Sequence, residues 1–143
     1  MIISLNIPGQ PVAKGRPRFA RRGKKIITYT PEKTADYENM IKAIAIEVMQ
    51  GRLPSKAPLE INAVLSFEIP ASWPKKKRQE AIEGKIMATK KPDADNCIKG
   101  VLDACNKICY EDDSQIVSVI LFKEYSEYPT TRLVIRELEG KCA

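Results

Sequence analysis

Hydrophobic and polar positions change rhythm several times along this chain. Ile2 to Ile7 reads as a short strand, closed by Pro8-Gly9. Ile26 to Tyr29 is β-prone and able to close a hairpin. From Thr30-Pro31-Glu32 the rhythm becomes helical, with Thr30 as N-cap and Pro31 in the first turn. Tyr37, Met40, Ile41, Ile44, Ala45, Val48 and Met49 keep a 3.6-residue period to about residue 50, and Gly51 follows as a stop. Ile61, Ala63, Leu65, Phe67 and Ile69 alternate with mostly polar residues and predict a strand. Ser72-Trp73-Pro74 opens a short basic helix that Gly84 ends. A further helix is expected from about Asn96 to Cys109, with Ile98, Val101, Leu102, Cys105, Ile108 and Cys109 as its buried stripe. Gln115–Tyr125 and Thr130–Leu138 read as two strands joined through Tyr128-Pro129, forming a terminal hairpin. The order β-β-α-β-α-α-β-β predicts one α+β domain over 1–143, a mixed β-sheet with helices packed on it.

Between the first two strand signals the pattern breaks. Residues 10–25 carry Lys14, Arg16, Arg18, Arg21, Arg22, Lys24 and Lys25, no acid, and prolines and glycines that oppose a helix. An exposed basic loop or arm is the natural reading, and such an arm contacts phosphates without reading sequence. The formal charge of +6 is uneven: residues 1–92 hold 18 Lys/Arg against 8 Asp/Glu, and residues 93–143 hold 6 against 10. A basic part thus precedes an acidic one, as in a polyanion surface beside a carboxylate cluster. Lys75-Lys-Lys-Arg78 is equally compatible with DNA contact and with a solvated helix, and Trp73 reads as a packing residue.

The chain contains no histidine. That excludes Ser-His-Asp and Cys-His pairs, HExxH zinc sites and nucleases with a histidine base. Cys97, Cys105, Cys109 and Cys142 form no CxxC pair and read as reduced core thiols. There is no signal-like segment and no 18-residue apolar run, so a cytoplasmic address without membrane insertion is expected.

The chemistry concentrates in Asp93-Ala-Asp95-Asn-Cys-Ile-Lys99, Asp103 and Glu111-Asp112-Asp113. In an extended stretch Asp93 and Asp95 project to one side. Asp95, Lys99 and Asp103 repeat every four residues and share a helix face. Clustered carboxylates need a cation, and oxygen ligands without His or Cys favour Mg²⁺ or Mn²⁺ over zinc.

Lys91-Pro-Asp-Ala-Asp-Asn-Cys-Ile-Lys99, Leu102-Asp103 and Tyr110-Glu-Asp-Asp113-Ser-Gln115 together resemble the signature of RusA-type Holliday junction resolvases. Gly9-Gln-Pro-Val-Ala-Lys-Gly-Arg-Pro-Arg18, Tyr29-Thr-Pro31 and Ser72-Trp73 resemble the phage and prophage branch of that family. The resemblance implies a RusA-like fold and a Mg²⁺-dependent homodimeric endonuclease that cuts four-way DNA junctions by paired nicks in recombination and repair. By position, Asp93, Asp95 and Asp113 match its metal-binding aspartates and Lys99 its catalytic lysine. Asp103 and Asp112 match acidic positions behind them. Some members carry Arg before the first Asp, where this chain has Pro92, which shifts the expected DNA contact to Lys90 or Lys91. The alternatives are a non-catalytic junction-binding protein and a nuclease for other branched DNA.

Overall fold

A computed structural model describes the chain except residues 16, 17, 30 and 31, and gives backbone but not side chains for 18–20, 22 and 27–29. The expected cap at Thr30-Pro31 and the expected DNA contact Arg16 therefore lie outside the described residues, as do the Arg18 and Arg22 side chains.

The first strand, β1 (Ile2–Pro8), points Ile3, Leu5 and Ile7 to one face and exposes the residues between them. This alternation is what one solvated sheet face requires. Next, β2 (Arg18–Arg22) and β3 (Lys25–Tyr29) pair antiparallel in a two-stranded ribbon of their own. The basic segment is thus partly β-ribbon and not simply a loop. Its ladder satisfies the backbone, and Gly23 at φ +62° supplies the left-handed residue of a two-residue turn.

Helix α1 (Glu32–Met49) buries Thr34, Tyr37, Ile41, Ala45 and Met49. β4 (Leu59–Glu68) follows, then α2 (Lys75–Ile82), α3 (Ala94–Cys105), a short 3-10 turn at Asp113–Gln115, β5 (Ile116–Ser126) and β6 (Thr130–Glu137). α1 and α3 pack on the core face of the sheet, where Leu5, Ile41, Ile61, Val101, Leu133 and Ile135 meet.

The sheet order is β1-β6-β4-β5. β1 with β6 and β6 with β4 run antiparallel, whereas β4 and β5 are parallel. The sheet is mixed, as expected, but β5 and β6 do not form the expected hairpin because β4 lies between them. Two strand spacings are about 10 Å, and the four Cα steps from Ser126 to Thr130 reach roughly 13 Å. The short connector therefore steps over one strand. The exchange puts Leu133 and Ile135 of β6, 0% and 1% exposed, in the middle of the sheet. It leaves β5, with its more exposed pattern, on the edge.

A parallel pair needs a long crossover, and the segment carrying α2 and α3 supplies it. α3 runs back along the pair. Its first turn lies beside the carboxyl ends of β4 and β5, where Cys97 packs with Leu65 and Phe67. Its last turn lies near their amino ends.

Candidate active site at the start of α3

Helix α3 begins two residues earlier than expected and ends at Cys105. Asp93 is its N-cap residue and Asp95 already lies in the first turn. The extended-chain reason for placing both carboxylates on one side therefore does not apply. Both nevertheless lie near enough to the buried Cys97 thiol for their charges to act on it. Burial pushes this thiol up to about 11; the Lys123 charge opposes that shift, and the Asp93 and Asp95 charges add to it. The side chain of Asp93, the N-cap residue, does not cap the helix end. Several N–H groups there remain directed toward whatever anion approaches.

Lys123 fixes the segment that leads into Asp93. Its Nζ donates to the carbonyls of Lys90 at 2.8 Å and Pro92 at 2.9 Å, and lies 5.4 Å from the centre of the Phe67 ring. Sequence reasoning missed this residue. The available signal was a lysine in step with Leu121 and Tyr125, on the face of β5 that packs on the core. Lys91 lies 3.8 Å from Asp93 Oδ1 with its side chain exposed. Lys90 lies 5.8 Å from the centre of the Trp73 ring. Trp73 packs edge-on to Tyr125 with Lys77 4.1 Å over its face, consistent with its expected packing role.

One turn on, Lys99 is 66% exposed and 3.9 Å from Asp103 Oδ2. The same oxygen accepts from Lys14 Nζ at 2.7 Å, and Lys14 also lies 3.2 Å from Glu38 Oε1. Burial works against the Lys14 charge, but the bonds to Asp103 and Glu38 outweigh it and raise its pKa. Lys14 was expected among the DNA contacts. In this structure its ammonium sits between Asp103 and Glu38 and so ties α3 to α1.

The backbone beside Lys14 is equally fixed. Its N–H donates to Asn96 O at 3.0 Å, and the Gly15 N–H donates to Thr34 Oγ1 at 3.0 Å. The root of the basic ribbon is thereby fastened next to the start of α3. Arg21 on that ribbon is exposed.

Asp112 and Asp113 sit elsewhere. Asp112 accepts from the Ser114 N–H and hydroxyl, which lower its pKa, and Gln115 Oε1 accepts from the Asp112 N–H at 2.8 Å. Gln115 Nε2 donates to Ser55 O and Ala57 O, both at 2.9 Å, and so locks this turn to the entry of β4. Tyr110 is fully buried and donates to Leu102 O at 2.5 Å, with its hydroxyl pKa raised first by burial and also by Cys105, Cys109, Asp113 and Asp103.

Asp113 thus precedes β5, whereas Lys123, which touches Pro92, lies seven residues into the strand. Seven strand residues extend about 23 Å. The structure does not bring the 111–113 turn back to Asp93 and Asp95, and the length of β5 is the reason. Among the described residues no three His, Cys, Asp or Glu side chains form a metal-ion cage. The donors at the start of α3 are two carboxylates. They fit the hard oxygen chemistry of Mg²⁺, which commonly takes one or two carboxylates and completes its shell with water and substrate phosphate.

Of the cysteines, Cys97, Cys105 and Cys109 are buried thiols, but Cys142 is exposed near the C-terminus, where no core remains for it to enter. No helix of the described residues is long and apolar enough to cross a membrane.

The molecule is thus an α+β domain with a basic ribbon rooted beside the two aspartates at the start of α3. Comparison with known proteins specifies the class. The model of the endodeoxyribonuclease RusA family matches residues 8–136, and the chain belongs to this family. It is also 35% identical over 140 residues to YqaN, an uncharacterized protein of Bacillus subtilis (strain 168), across 96% of this chain and 98% of the relative.

Proposed function

We propose that this endodeoxyribonuclease-family protein resolves four-way DNA junctions by metal-dependent hydrolysis in recombination and repair, in the cytoplasm of a bacterial or phage-infected cell. The observation that carries the reading is the Asp93–Asp95 pair at the open start of α3, with Lys99 one turn on and the basic ribbon rooted alongside. The carboxyl ends of parallel strands are also where open α/β sheets usually bind ligands.

Asp93 and Asp95 hold Mg²⁺, with Mn²⁺ as a substitute. When bound, the cation polarises the scissile phosphate and activates water. The chain's own groups do the rest. Helix N–H groups and the exposed Lys90, Lys91 and Lys99 hold the phosphodiester strand, and Lys99 offsets charge that grows on the phosphate during attack. Lys123 keeps the Lys90–Pro92 backbone in place and so fixes where Asp93 points. Arg21 and its neighbours on the ribbon grip the duplex arms.

A four-way junction has two-fold symmetry, and two copies of one site give paired nicks. The edge strand β5, with Val117, Val119, Ile120 and Phe122 exposed, is the surface best suited to a second copy.

The test is cleavage of a synthetic four-way junction with Mg²⁺, with Asp95→Asn as control. Wild type nicks opposite strands in the presence of Mg²⁺ and not with EDTA, while Asp95→Asn binds without cutting. A wild type that binds but never nicks overturns the enzyme reading, and equal cutting by Asp95→Asn overturns the site.

A further inference from the structure

Asp103 Oδ2 faces two lysines at once. Lys14 reaches it from a separate segment at 2.7 Å, with its side chain 27% exposed; Lys99 reaches it along the helix from 3.9 Å, with its side chain 66% exposed. The nearer and less hydrated cation takes the larger share of that oxygen's interaction. Lys14 is also delivered to the spot by fixed backbone. Its N–H is bonded to Asn96 O, and its Cβ lies 3.5 Å from where a side chain at Gly100 would begin. Glu38, with its side chain 16% exposed, adds a second carboxylate to the same ammonium.

We propose that Lys14 is a positioning residue: by occupying Asp103 and Glu38 it keeps the Lys99 ammonium turned outward to the DNA strand that is cut. The inference rests on the proposed role of Lys99. Without the Lys14 charge, Asp103 retains Lys99 as the one cation within 4 Å among the described residues, and Glu38 loses its only such partner. Asp103 then draws Lys99, already 3.9 Å away, into a closer pair against α3 and away from the phosphate it serves. Lys14 itself touches no DNA, so its loss acts on the rate of cutting more than on binding.

The experiment is single-turnover nicking of a synthetic four-way junction with Mg²⁺, alongside junction affinity and its salt dependence. Lys14→Met lowers the nicking rate tenfold or more while changing affinity less than threefold. Adding Asp103→Asn to Lys14→Met removes the carboxylate that captures Lys99 and restores at least half of the lost rate on a logarithmic scale. Lys14→Arg, which keeps the charge, cuts within threefold of wild type. Lys14→Gln repeats the test with a hydrogen-bond donor still facing Asp103, and its loss is likewise relieved by Asp103→Asn. A double variant no faster than its Lys14 single variant overturns the proposal, because a merely structural loss is not relieved by a second deletion. Weakened binding with a salt slope reduced by about one also overturns it, by making Lys14 a phosphate contact. If Lys99→Ala cuts as well as wild type, the role given to Lys99 fails, and this inference fails with it; if Lys99→Ala is inactive and Lys14→Met is normal, only this inference fails.

Discussion

Replacing Tyr110 with Phe removes one oxygen and little else. The ring is fully buried and its hydroxyl donates to Leu102 O at 2.5 Å. That carbonyl belongs to the last turn of α3, where four carbonyls lack partners within the helix. Neighbouring carbonyls are met by backbone: Asn106 N–H on Asp103 O, and the Ile108 and Cys109 N–H groups on Cys105 O. The tyrosine is therefore a side-chain cap that ties the helix end to the turn carrying Asp112 and Asp113. A net hydrogen bond is worth about 1 kcal/mol, and a buried acceptor left unpaired adds a comparable cost. The expected loss is about 1–2 kcal/mol, since Phe keeps the ring and opens no large cavity. For a domain of this size that lowers Tm by roughly 3–7 °C. In urea, with a slope of about 2 kcal/mol/M, the midpoint falls by roughly 0.5–1 M at unchanged slope. Equilibrium urea unfolding followed by circular dichroism measures it. Junction nicking at 25 °C stays within about twofold, because Tyr110 sits at the opposite end of α3 from Asp93. A midpoint within about 0.2 M of wild type would refute the capping role.

Other expectations are quicker to check. Folded protein exposes one thiol to Ellman's reagent at neutral pH, that of Cys142, and the three buried thiols react only on denaturation. Folding raises the Cys97 thiol from 9.0 to about 11, so the stability it contributes is intact below pH 9 and lost as pH climbs toward 11. Cys97→Ala therefore lags wild type in unfolding free energy most at neutral pH, with the gap narrowing between pH 9 and 11; a constant gap contradicts the shift. Lys123→Met removes two charge-assisted bonds to the backbone ahead of Asp93, and lowers the nicking rate more than junction affinity. An unchanged rate would mean that the segment holds its shape without them.

Much of the layout was legible in the residues because it depends on short periods. The repeat from Tyr37 to Met49 marked α1, and the alternation from Ile61 to Phe67 marked β4. The signature around Asp93 marked the site's residue types and its family. The terminal hairpin was misplaced because alternation says which face a residue takes and not which strand lies beside it. The pairing of Lys14 with Asp103 and Glu38 was not legible, because composition counts a charge and cannot see partners that reach it from distant parts of the chain. Lys123 and Tyr110 were passed over for the same reason: their partners are carbonyls that only folding brings near.

The sequence alone determined that any catalysis here runs without imidazole, because side-chain chemistry is a local property. Only the tertiary structure decided where the carboxylates stand. Asp93 and Asp95 share the open start of α3, whereas Asp113, only eighteen residues beyond Asp95, stands at the far end of β5. Separation along the chain does not fix distance in space; the direction of the intervening helix and the length of the strand do.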